Sequence, residues 1–104
     1  MTFGQVIASE RKKLGLSQKE LAGRIKKEDG MPISPQYLND IERDRRNAPP
    51  EHLMDQLADE LNLPREYLYF LAGEMPADLR NQDPKPEKVK AAFQAFRKTL
   101  NKGE

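Results

Sequence analysis

The chain has 104 residues, 34% of them charged, with a formal net charge of +1 and no cysteine. That length suits one compact domain with at most a short appendage, and the lack of cysteine excludes a disulfide framework and thiolate metal or redox sites. No apolar run approaches the ~18 residues that span a bilayer, and the start Met1-Thr2-Phe3-Gly4-Gln5 lacks a charged-then-apolar leader. A cytoplasmic protein with no membrane partner is expected. The charge is unevenly placed. Residues 1–47 carry ten Lys/Arg against seven Asp/Glu, residues 48–81 two against seven, and residues 82–104 six against three. An acidic middle between basic ends fits a molecule with one face turned to a polyanion.

Taken in chain order, the start and stop signals are all helical. Thr2 and Gln5 form a T-x-x-Q capping box, Phe3, Val6, Ile7 and Leu14 share a face, and Gly15 supplies a left-handed stop. Ser17 and Glu20 form a second box, with Leu16 placed to staple against Leu21, and Leu21, Ala22 and Ile25 give a buried stripe on a helix over 18–27. Residues 28–33 read as a loop broken by Gly30 and Pro32. A third helix starts at cap Ser34 with Pro35 in its first position and buries Tyr37, Leu38 and Ile41, ending near Arg43-Asp44. Pro49-Pro50 opens a fourth, with Leu53, Met54, Leu57 and Leu61 inward. A fifth starts at Pro64 with Tyr67, Leu68 and Leu71 as its stripe, and Gly73 closes it. Pro76 starts one more turn through Leu79. Residues 81–86 are a polar, Pro-rich linker between a domain over 1–80 and a helix within 87–104, which carries Val89, Phe93, Phe96 and Leu100. The fold class is all-α.

Two segments stand out together: Leu16-Ser17-Gln18-Lys19-Glu20-Leu21-Ala22, and Ile33-Ser34-Pro35-Gln36-Tyr37-Leu38-Asn39-Asp40-Ile41-Glu42-Arg43. With these caps and apolar positions, residues 3–73 resemble the lambda-repressor-like (XRE) helix-turn-helix family. The resemblance implies a five-helix domain that binds double-stranded DNA as a dimeric transcription regulator, a repressor by preference. It places Pro35, Gln36, Asn39 and Asp40 at base-reading positions, Gln18, Lys19, Tyr37, Arg43, Arg45, Arg46 and Asn47 on phosphates, and Arg11 in a structural pair with Glu42, with a phosphate as a further contact for Arg11. The side chains agree with these roles. Gln and Asn can pair bidentately with adenine and Asp can accept from cytosine, while clustered arginines neutralise phosphates.

Three features depart from the family pattern. The loop before the third helix is about six residues longer than the usual tight turn, Asp44 replaces a glycine that ends the third helix, and Asp40 brings a negative charge toward DNA.

Nothing in the sequence points to catalysis, a metal or a cofactor. His52 is the single histidine, beside Glu51 early on the fourth helix, with no second ligand group converging on it in the sequence, and no phosphate-cradling glycine loop or nucleophile–base pair occurs. The stripe Val89, Phe93, Phe96 and Leu100 is too apolar to stay wet, and a lone helix of this length is marginal. A twin subunit, with Tyr69 and Phe70 contributing from the side of the fifth helix that the core does not need, and packing back onto the domain are equally good covers. An antitoxin or phage-type controller that holds a partner protein here, and an interaction module that has lost DNA binding, are the alternative functions.

Overall fold

Three serine or threonine hydroxyls set where the chain begins to coil. In the computed structural model, which describes residues 1–102, the Thr2 hydroxyl accepts from the Gln5 amide while the Gln5 side chain accepts from the Thr2 amide, starting α1 (Phe3–Lys13). Ser17 and Glu20 exchange the same pair of bonds at the head of α2 (Gln18–Arg24). Ser34 caps α3 (Pro35–Glu42). Each cap satisfies amides that have no partner inside the helix. The remaining helices are α4 (Glu51–Leu61), α5 (Arg65–Ala72), the single turn α6 (Ala77–Arg80) and α7 (Pro86–Asn101). No described helix is long and apolar enough to cross a membrane.

The buried stripes of α1 to α5 meet in one core. Ile7, Leu21, Ile25, Leu38, Met54, Leu57 and Leu68 are fully enclosed in it. Helix α1 is the hub and packs on α3, α4 and α5, while α2 packs on α3 and α4 on α5.

The fold corrects several sequence expectations. Leu14 and Tyr67, expected in buried stripes, are exposed. Leu14 lies one residue past α1, in its C-cap, and α5 turns Leu68 and Tyr69 inward instead. Helix α2 stops at Arg24 rather than at 27. Ile25 is extended (φ −103°, ψ 118°), and the segment to Ile33 is a miniature hairpin. The Ile33 amide donates to the Ile25 carbonyl at 2.9 Å and the Lys27 amide to the Met31 carbonyl at 2.8 Å, with Gly30 reversing the chain at φ +83°. The Gln56 amide from α4 braces this hairpin. It accepts from the Lys26 amide at 2.7 Å and donates to the Lys26 carbonyl at 2.8 Å. Two isoleucines eight residues apart thus both reach the core, and the backbone groups that a longer α2 would have paired find partners elsewhere.

Asp44 sits in the left-handed region (φ 56°), which a short polar side chain tolerates. Its carboxylate turns back onto the start of α1, accepting from the Thr2 hydroxyl and from the Gly4 amide at 2.9 Å. Here α1 and the end of α3 touch backbone to backbone. A methyl on Gly4 would run into the carbonyl oxygens of Ile41 and Glu42.

Helix α7 stands apart from this body, and among the described residues none of its side chains is buried. The radius of gyration is 15.6 Å, against about 13 Å for a compact chain of this length. The excess reflects the detached helix.

Candidate nucleic-acid interface

Leu38 and Ile41 anchor α3 in the core. Pro35, Gln36 and Arg43 are therefore exposed and Asn39 and Asp40 half-buried, along one outward flank. Behind this flank lies a polar chain. Arg11 grips Glu42 with two nitrogens, Nε to Oε2 at 2.7 Å and Nη2 to Oε1 at 2.9 Å, and its Nη1 donates to the Leu16 carbonyl at 2.7 Å. The paired side chains are 9% and 4% exposed. The bond to Glu42 raises the Arg11 pKa, against the opposing effect of burial. A buried pair of this kind is costly to break from one side, because the remaining charge stays uncompensated. All three guanidinium nitrogens of Arg11 are thus engaged within the protein.

The pair continues into α2. Gln18 donates one amide hydrogen to Glu42 Oε1 at 2.9 Å and the other to Asn39 Oδ1 at 3.1 Å. Both hydrogens are used, and its remaining polar atom is an acceptor, which a phosphate oxygen cannot use. In this structure the Gln18 side chain thus ties α2 to α3. Arg43 Nε donates to the same Asn39 oxygen at 3.3 Å.

Asp40 has three partners. Gln36 Nε2 donates to it at 3.0 Å, Arg46 Nε lies 3.5 Å away and Arg45 Nη1 4.0 Å away. Its negative charge is offset by two cations from the loop after α3. The two arginine side chains are 59% and 58% exposed, so these ion pairs are weak and leave the guanidinium groups free to turn to another anion. Arg46 also lies over the Tyr37 ring, 5.3 Å from its centroid. Tyr37 is half-buried beneath it. Lys19 is exposed at the start of α2 and Asn47 in the loop after α3.

At the opposite end of the chain α5 and α7 form an apolar cleft. Tyr69, expected on the free side of α5, is 3% exposed and belongs to the core. Its hydroxyl donates to Asp55 at 2.9 Å, and burial first, then this bond, push the phenol pKa up. The interior position is affordable for a tyrosine because its one polar atom has a partner. Phe70 takes the outward place at 54% exposure, and its ring meets Phe96 edge-to-face at 5.9 Å. Val89, Phe93, Phe96 and Leu100 all remain exposed. The cleft holds about 330 Å³, lined in part by Phe70, Met75, Leu79, Phe93 and Phe96.

A capped α2, a reversing segment, and an α3 whose polar flank faces out beside exposed arginines define a helix-turn-helix protein. A helix-turn-helix family model matches residues 7–68. The chain belongs to the lambda-repressor-like helix-turn-helix family, and it is a DNA-binding regulator of the XRE type. Two solved structures are similar. The master regulator for biofilm formation SinR in complex with DNA is 28% identical, with 64% of this chain and 97% of that chain covered and a TM-score of 0.53. A SinR protein/SinI protein complex is 25% identical, with 96% of this chain and 92% of that chain covered and a TM-score of 0.53. No curated protein matches.

The close approach at Gly4, the bonds of Asp44 to Thr2 and Gly4, and the bridging role of Gln18 were not read from the sequence. Only Asp44 left a signal there, as a polar residue in a glycine position.

Proposed function

We propose that this chain is a sequence-specific repressor that binds an inverted-repeat operator as a homodimer. Helix α3 enters the major groove, where every base pair presents its own pattern of donors and acceptors. Gln36, Asn39 and Asp40 face base edges with Pro35 at the leading end, while Lys19, Tyr37, Arg43, Arg45, Arg46 and Asn47 hold the phosphates. Two recognition helices then meet half-sites about 34 Å apart. The observation that carries this reading is the exposed polar flank of α3 lying directly beside Arg45 and Arg46. Helix α7 and Phe70 supply the subunit contact, since the apolar cleft they share is open to a second copy.

Gel shifts across a salt series on a selected operator and on random duplex test it. Arg45→Ala should weaken binding to all sequences and reduce the salt slope by about one. Gln36→Ala should cost about 1–3 kcal/mol at one base pair and relax the preference there. Binding that ignores salt, or equal losses on every sequence for both variants, would contradict these roles.

A second reading keeps DNA binding and gives the α5–α7 cleft to a different protein. It is favoured by the SinR–SinI complex, whose likeness extends over nearly the whole chain, α7 included. Sedimentation of the purified chain alone separates the two: a dimer supports the first, a monomer the second.

A further inference from the structure

Asn39 stands on the flank given above to base reading, and resting on that reading we propose that it selects guanine rather than adenine because Gln18 fixes which end of its amide faces outward. An asparagine free to turn offers one donor and one acceptor side by side, which matches adenine N7 and N6. Here the turn is blocked. The oxygen and nitrogen of an amide must be assigned from their partners, and in this site the partners decide. Arg43 Nε can only donate, so the Asn39 atom 3.3 Å from it is the oxygen. Both Glu42 oxygens accept from Arg11, so toward Gln18 they can only accept. The Gln18 atom 2.9 Å from Oε1 is therefore the nitrogen, and the same nitrogen donates to Asn39 Oδ1 at 3.1 Å. The buried Arg11–Glu42 pair thus sets the orientation of Gln18, and Gln18 with Arg43 sets that of Asn39.

The Asn39 oxygen accepts twice inside the protein. Its nitrogen has no partner among the described residues, and no buried side-chain nitrogen or oxygen among them is left without one, so the NH₂ group faces solvent. What Asn39 presents to a groove is a pair of donors. Guanine shows two adjacent acceptors there, N7 and O6, whereas adenine sets a donor beside its single acceptor and would face the amide donor to donor. Gln18 acts as a positioning residue and need not touch DNA.

The test is in vitro selection of bound duplexes by the full chain, compared with its Asn39→Ala and Gln18→Leu variants. The wild type should select guanine at one position by about tenfold over adenine, a selection that Asn39→Ala loses. Gln18→Leu leaves only the longer bond from Arg43 to hold the amide, and should lower the guanine-to-adenine ratio at that position alone by several-fold. A purely structural role for Gln18 would instead lower affinity for all sequences and leave the ratio unchanged, and that result overturns the proposal, as does adenine selected there by the wild type. Base analogues on the wild-type protein cover the case in which Gln18→Leu does not fold. Replacing that guanine by 7-deazaguanine, which removes N7, should weaken binding several-fold, while inosine, which keeps N7 and O6, should not, and binding indifferent to 7-deazaguanine overturns the proposal. Selection of no sequence at all by the wild type would remove the DNA-reading function itself, an outcome distinct from selection with an unmoved ratio.

Discussion

Helices α3 and α7 have much in common locally: each carries a proline in its first turn and an apolar stripe at helical spacing. Their fates differ completely. Leu38 and Ile41 of α3 are sealed between α1 and α2, whereas Phe93, Phe96 and Leu100 of α7 stay in solvent except where Phe96 meets Phe70. An amphipathic stripe states that a surface needs cover; it does not say what provides it. In α3 the cover comes from α1 and α2 of the same chain. For α7 the linker delivers the helix beside α5 but not into the core.

The contrast can be attacked first where α3 is most dependent on its surroundings. Glu42→Ala should destabilise the fold by about 3–5 kcal/mol, read by urea denaturation, because Arg11 is left buried and unpaired. A loss below about 1 kcal/mol would mean that α3 is held by apolar packing alone. Gly4→Ala comes next. The methyl must push the end of α3 away from α1, at about 1–3 kcal/mol. On the α7 side, Phe96→Asp should change unfolding by no more than about 0.5 kcal/mol, since the residue is 45% exposed, yet shift the sedimenting mass from dimer to monomer. A large folding loss there would place α7 within the body and erase the comparison.

The smallest effect lies in the cap of α2. The backbone hydrogen bond from Ser17 holds the Glu20 carboxyl below its usual range. A lowered folded-state pKa means that the cap contributes fully above the unfolded value, and that this contribution is lost as pH falls through the folded one. Thermal midpoints of the wild type and Glu20→Gln should differ slightly at neutral pH and converge in acid. Midpoints that stay apart at low pH would assign the difference to something other than the carboxylate.

The helical course of the chain was legible because caps and stripes are local. Ser17 with Glu20, Ser34 with Pro35 and the 3–4 spacing of Leu53, Met54, Leu57 and Leu61 act over one or two turns, and a sequence records such distances directly. The flank holding Gln36 and Arg43 followed by subtraction, once the inward residues were known. What the sequence could not carry were relations between residues far apart along it. The hairpin at 25–33 depends on Gln56, the place of Asp44 on Thr2 and Gly4, and the orientation of Asn39 on Gln18 and, through Glu42, on Arg11. Of Tyr69 and Phe70, both expected outward, only Tyr69 turned inward, and for the same reason: its burial rests on Asp55 of α4, which accepts from its hydroxyl. Local signals determined which segments coil. Tertiary packing decided which polar atoms point outward, because that choice is settled by partners that only the folded chain brings within hydrogen-bonding distance.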